Sequence, residues 1–187
     1  MPKGGLSHYM VVEGLVNDYK IRKMAEIGVY RGRLARHICR RCRHIQEYYA
    51  IDQWICVEGA DFGHHAEKTQ EEWDALYRRA CREMPYQRAL KMLKIPGVQA
   101  AKEIFPLKHF KGFFDFAYID SSHHYQETYD EIKAWLPLVH EGGLIGGHDY
   151  AATRPEHQGV RQAVDEVFGK ENVKEGDDMV WYVEVKG

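Results

Sequence analysis

Two segments constrain this chain more than anything else in it. The first runs Met24-Ala-Glu26-Ile-Gly28-Val-Tyr30-Arg-Gly32: an apolar stretch, an acid and two glycines that open a helix. The second runs Phe114-Asp-Phe-Ala-Tyr-Ile-Asp120-Ser-Ser-His123-His-Tyr125 and continues to Gly142-Gly-Leu-Ile-Gly-Gly-His148-Asp149-Tyr150. Apolar runs this continuous are what parallel strands look like when helices cover both faces of a sheet. Each run ends in polar, chemically competent groups. Strands that alternate with amphipathic helices require an α/β domain with a mostly parallel sheet.

The rest of the chain fits that frame. Residues 8–18 are expected to be a helix capped by Ser7. A buried strand follows over 24–29. The helix from Gly32 carries Leu34, Ile38, Cys42 and Ile45 on one face. Residues 48–52 read as a second strand ending in Asp52. An insertion-like stretch occupies 55–84, with a loop over 55–65 and a helix over 69–84, and is a candidate lid. A short strand is expected over 89–93, a helix over 98–108 and a strand over 114–119. A helix over 127–139 and a strand centred on Leu144-Ile145 come next, then a helix over 159–168. Val173 and residues 179–185 read as a closing antiparallel hairpin around Gly176-Asp-Asp.

A chain of 187 residues suits one domain with a sizeable core. No apolar run approaches the ~18 residues of a membrane span, so no membrane partner is expected. Met1-Pro-Lys-Gly-Gly-Leu6 lacks the apolar core of a signal peptide, and the cytoplasm is the expected compartment. With 26 basic and 28 acidic residues, the net charge of −2 argues against a general nucleic-acid binder. Four cysteines are too few and too scattered for a secreted disulfide scaffold.

The Glu26-x-Gly28-x-x-x-Gly32 turn joins a strand to a helix, so helix N-terminal amides would face a bound ligand. Asp52 closes the next strand, where doubly wound sheets place an acid within reach of a ribose hydroxyl pair. The spacing differs from the dinucleotide Gly-x-Gly-x-x-Gly fingerprint. A plain glycine turn, as in any α/β protein, is the competing reading.

With two glycines four apart, the turn resembles motif I of class I S-adenosylmethionine-dependent methyltransferases. The resemblance continues through Phe114 to Tyr125, Trp135-Leu-Pro-Leu-Val139, Gly142 to Tyr150, and Gly159-Val-x-x-Ala-Val-Asp-Glu-Val167. These stretches are similar to the small macrocin-type O-methyltransferases of glycan and antibiotic-sugar pathways. The resemblance implies one Rossmann-like domain over 1–187. Its sheet would be mostly parallel and seven-stranded, with a C-terminal antiparallel hairpin and helices on both faces. It implies S-adenosylmethionine as cofactor, near Glu26, Gly28, Tyr30, Gly32, Asp52, Gln53, Trp54 and Asp120. The acceptor would be a sugar or another small polar hydroxyl compound, and a homodimer is the candidate assembly. The family's adenine-binding turn is replaced here by Lys94-Ile-Pro-Gly97, so no adenine contact is assigned.

Asp120 and the His148-Asp149 pair end adjacent strands. Two carboxylates and an imidazole suit a divalent ion, Mg²⁺ for the oxygens or Mn²⁺ for the added nitrogen. The competing role for the two acids is helix capping or loop hydrogen bonding. His123 is the candidate base, since a neutral imidazole can take a proton from a hydroxyl; His124 is the weaker candidate. The bland alternative is that His123 only caps the next helix.

Cys39-Arg-Arg-Cys42 lacks the two further ligands of a zinc site and reads as core. Arg33, Arg36, Arg40 and Arg43 follow helical spacing and read as a solvated face, without the interleaved aromatics of an RNA surface. Two other functions stay open: a nucleoside-binding subunit without catalysis, which would tolerate loss of His123, and a nucleic-acid methyltransferase using the Arg-rich helix.

Overall fold

The computed structural model describes residues 5–56, 68–83, 89–152 and 158–187. Its centre is a seven-stranded sheet built from β1 (Lys23–Ile27), β2 (Glu47–Asp52), β3 (Leu90–Lys94), β4 (Phe114–Ile119), β5 (Val139–Gly147), β6 (Lys174–Glu175) and β7 (Trp181–Glu184). The strand order is β3-β2-β1-β4-β5-β7-β6. The first five strands pair in parallel, and β7 joins β5 antiparallel, with Gly147 opposite Trp181. The chain winds outward from β1 to β3, then returns to β4 on the other side of β1. That reversal opens a crevice at the carboxyl ends of β1 and β4, where ligands of doubly wound sheets bind.

Alternation along the strands builds two separate cores. Met24, Tyr48, Ala50, Phe116 and Tyr118 face one layer of helices; Ala25, Ile27, Tyr49, Ile51, Ala117 and Ile119 face the other. The first layer holds α1 (His8–Asp18), α2 (Arg33–Arg41) and α3 (Gln70–Glu83), through Val12, Leu15, Val16, Leu34, Ile38 and Ala80. The second holds α4 (Gly97–Glu103), α6 (Tyr125–Trp135) and α7 (Gln158–Phe168), through Ala100, Ala101, Ile132, Trp135, Val160 and Val164. Trp135 is fully buried and its indole N–H donates to the Gly97 carbonyl, so the ring meets no unpaired polar cost.

Several boundaries differ from those read in the sequence. The helix expected over 98–108 divides into α4 and the one-turn α5 (Leu107–Phe110). Pro106 cannot continue a helix, and Phe105 before it turns fully into the core. The helix expected over 127–139 starts at Tyr125 and ends at Trp135; Pro137 confines the next residues to a 3₁₀ turn, and Val139 already belongs to β5. α2 ends at Arg41, so Cys42 and Ile45 are buried beyond it rather than on it. Ser7 occupies the cap position of α1 but its side chain makes no cap hydrogen bond. The carboxylate of Asp178, from the distant hairpin turn, accepts the His8 N–H instead. Val173 lies just outside β6.

Most of the loop expected over 55–65, with His64 and His65, lies outside the described residues, as does Met84. α3, from the same insertion, packs Trp73, Leu76 and Tyr77 against the first core. Cys39 and Cys42 are buried thiols outside any disulfide, and burial raises their pKa values to about 12 and about 11. Among the described residues, no helix is long and apolar enough to cross a membrane.

Candidate active site

A cleft of about 550 Å³ opens at the carboxyl ends of β1, β2 and β4. Glu26, Gly28, Tyr30, Asp52, Gln53, Asp120 and His123 line it, so sequence-distant residues share one cavity. Gly32 does not line it; it starts α2 at φ 66°. Trp54 is fully buried behind the wall and donates its indole N–H to the Tyr30 carbonyl. Its role there is to brace the loop from the core side.

Gly28 has φ +92°, and a Cβ built on it would stand 2.1 Å from the Asp120 carbonyl oxygen. What demands glycine here is the approach of two strand ends, in addition to any ligand. The backbone confirms the closeness: Asp120 N–H donates to Ile27 O at 2.7 Å, and Gly28 N–H to Ile51 O at 2.9 Å. The turn after β1 is thereby welded to both neighbouring strands.

Asp52 completes the weld. Its Oδ2 accepts the Val29 and Tyr30 amides at 2.9 and 2.8 Å, and its Oδ1 accepts Trp54 N–H at 2.9 Å. Burial pushes this carboxyl above its usual range, and the amides pull it back toward ionisation. Tyr30 and Trp54 both hold positive φ, 49° and 40°. Such strain in non-glycine residues persists only where surroundings enforce it, and it concentrates at functional sites.

Glu26 lies at the floor, 3% exposed, with the Tyr48 hydroxyl donating to its Oε2 at 2.6 Å. Burial drives its pKa to about 8, against the Tyr48 hydrogen bond; the charges of Asp120 and Asp52 push the same way as burial. A carboxyl with a raised folded pKa stabilises the fold most when neutral. That contribution is complete below the unfolded value of 4.5 and is lost as pH rises through about 8. Glu26→Gln should therefore flatten the decline of stability between those two pH values. The gap from the native protein should reach on the order of a few kcal/mol at the alkaline end. Urea melts across pH check this; parallel curves would remove Glu26 as the cause.

At the other end of the cleft, three elements converge. His123 follows β4 and its Nε2 lies 3.0 Å from Asp149 Oδ2. His148 follows β5 directly and its Nδ1 lies 3.2 Å from the same oxygen. Asp149 is 5% exposed and adopts φ +62°, a left-handed conformation that aims its carboxylate between the two rings. Burial opposes charge on both imidazoles, but the hydrogen bond and charge of Asp149, with the charge of Asp120, raise their pKa values, His148 to about 9. Ligand atoms of Asp120, His123 and Asp149 lie within 4.8 Å of one another. His148 stands beside Asp149, and its ring also groups with His8 and Asp178.

Several lining residues carry no clear signal in the sequence. His8 and Tyr9 come from the start of α1, and Trp73 from α3. Glu131 lies in the middle of α6. In the structure it is 7% exposed, accepts the Ser121 hydroxyl and faces Gly97, where a Cβ would stand 2.7 Å from its Oε1. Burial pushes its pKa to about 7. It is thus the buried acid beside the Pro96-Gly97 turn, where the sequence alone assigns no contact.

Known proteins resemble this arrangement. Three solved structures share the fold at low identity. The O-methyltransferase of Bacillus cereus, solved in complex with SAH, has 16% identity and a TM-score of 0.60, over 98% of this chain and 84% of its own. The O-methyltransferase NovP has 17% identity and a TM-score of 0.62, over 96% and 78%. Cofactor-bound Rv0187 from MTB has 14% identity and a TM-score of 0.61, over 100% and 84%. No curated protein sequence matches the chain. A family model described as a methyltransferase domain matches residues 25–150, from within β1 through the Asp149 turn, and the chain belongs to that methyltransferase family.

Proposed function

We propose that the protein is an S-adenosylmethionine-dependent O-methyltransferase acting on a small polar hydroxyl compound, of the sugar-modifying macrocin type. The observation that carries this reading is one cleft with a nucleoside-type end and an acid–base end. Glu26, Gly28 to Tyr30 and Asp52 form the first; Asp120 and His123 form the second, with buried Asp149 behind His123. A methyl group passing from sulfonium to oxygen needs in-line alignment of donor and acceptor and removal of one hydroxyl proton. In this reading His123 takes that proton; what supports it is its Nε2 lying 3.0 Å from Asp149 Oδ2, the base-plus-orienter logic of acid–base sites.

The carboxylates of Asp120 and Asp149 suit Mg²⁺ or Mn²⁺, since such ions are held by one or two acids and keep several waters. An ion bound there would lower the pKa of an acceptor hydroxyl. His123 would still receive the proton, and buried Asp149 would still fix the imidazole. Chelation should lower turnover with little change in cofactor affinity, with restoration by Mn²⁺. Full turnover after chelation would leave the proton transfer to His123 and Asp149 alone.

The direct test of the nucleoside end is binding of S-adenosylhomocysteine. It should raise the melting temperature of the native chain. Asp52→Ala should weaken binding by about 1–3 kcal/mol through lost hydrogen bonds to a charged group, and should also destabilise the unliganded protein, because Asp52 holds three amides. No shift at millimolar S-adenosylhomocysteine would defeat the proposal. The proposed enzyme is a single cytoplasmic domain, with Trp73 of α3 lining the cleft.

A further inference from the structure

We infer a second metal site, of a different chemical type, formed by His8, His148 and Asp178 and suited to Zn²⁺. The three residues come from the first turn of α1, the end of β5 and the β6–β7 turn. One ligand atom from each lies within 4.8 Å of the others. His8 Nδ1 is 2.9 Å from Asp178 Oδ2, and the His8 and His148 ring centroids are 4.7 Å apart.

Two independent observations point to a missing ligand. The first is His148 Nε2, a buried polar nitrogen with no hydrogen-bond partner among the described residues. Buried polar atoms left unpaired are uncommon, and each needs a reason. The opposite nitrogen of the same ring, Nδ1, is engaged by Asp149 Oδ2 at 3.2 Å. A carboxylate on one imidazole nitrogen is how metal-binding histidines are oriented, leaving the other nitrogen for the ion.

The second is the turn that delivers Asp178. Val180 N–H donates to Asp177 O, closing a tight turn whose central residues, Asp178 and Met179, have φ of 53° and 61°. Positive φ at both positions is the habit of Asn-Gly or Asp-Gly turns. A methionine there is strained, and the result is a carboxylate turned back onto α1.

The donor set decides the ion. Two imidazoles and one carboxylate form a three-ligand set that leaves a coordination position open, as in catalytic zinc sites. Mg²⁺ would prefer the oxygens of Asp120 and Asp149. Side-chain exposures of 22% for His8 and 40% for Asp178 leave the ion a route in, and His8 also lines the cleft. Binding would replace the His8–Asp178 contact by two bonds to the ion. It would tie α1, β5 and the hairpin turn together beside the acceptor end. Asp149 separates this site from Asp120 and His123, and the inference does not depend on methyl transfer.

The test is calorimetric titration of the chelator-treated full chain with ZnCl₂, without cofactor or acceptor. One Zn²⁺ should bind and raise the melting temperature. His8→Gln and Asp178→Asn should each weaken binding by at least ~10-fold, the lower end of what losing even an outer-shell partner costs. Asp120→Asn should weaken it far less than either, through the loss of a nearby charge alone. Both ligand substitutions also loosen α1, so nitrogen NMR of the native chain provides the second measurement. Zn²⁺ should shift the imidazole nitrogens of His8 and His148 and spare those of His123. Absence of binding, binding indifferent to His8 and Asp178, binding lost with Asp120→Asn, or shifts at His123 would each overturn the site. Failure to bind S-adenosylhomocysteine would bear on the proposed function and leave this site untouched.

Discussion

Gly28→Ala should destabilise the protein by roughly 2–5 kcal/mol and abolish measurable S-adenosylhomocysteine binding. Two costs combine. At φ +92° any Cβ is strained, and here the Cβ would also stand 2.1 Å from Asp120 O and 2.6 Å from Ser121 Cα. Those neighbours are backbone at the end of β4, so relief requires separating β1 from β4 at the crevice itself. Gly32→Ala is the control. Gly32 has φ +66°, and the left-handed penalty predicts about 1–2 kcal/mol. Urea melts of both variants, with calorimetry for the ligand, separate the cases. Equal losses would mean that turn conformation alone, without the strand contact, sets the loop.

That contrast shows what a sequence carries and what it does not. Gly28 and Gly32 are legible as a turn because glycine between a strand and a helix has few other uses. That Gly28 is pinned by Asp120 rather than freed for a ligand is not legible, since the partner lies far along the chain. The same holds for Asp52. Its place at a strand end is readable from the apolar run before it, but its three amide donors belong to a loop whose shape no local pattern encodes. Asp149 is readable as a strand-end acid. Its left-handed backbone, which sets one carboxylate oxygen 3.0 Å from His123 and 3.2 Å from His148, is not.

Other differences have local causes that are visible along the chain. Phe105-Pro106-Leu107 carries the breaker that splits the helix expected over 98–108, and Pro137 likewise ends α6. Glu131 illustrates the opposite limit. It sits between Asp130 and Ile132, and its burial comes from Gly97 and Ser121, both distant in sequence. Periodicity finds the faces of the sheet well because burial on both sides leaves long apolar strands. Side chains that work by reaching between elements leave no period to find.

His123→Ala should lower turnover by ~10²–10⁴-fold, the usual cost of losing a general base, with cofactor affinity nearly unchanged. The imidazole lines the cleft, and its Nε2 is held by Asp149 Oδ2 at 3.0 Å. Asp149→Asn should reproduce much of the loss, because an amide can neither stabilise the imidazolium nor fix the ring in the same tautomer. His124→Ala should do far less: His124 stands at the N-cap of α6, its side chain makes no cap hydrogen bond, and the Asp149 carboxylate is engaged by His123 and His148. Steady-state rates at saturating cofactor, alongside calorimetric affinities, separate chemistry from binding. If His123→Ala and His124→Ala gave equal, small effects, proton removal would have to fall to Asp120 or to solvent. The 3.0 Å contact would then be only a brace between the end of β4 and the Asp149 turn.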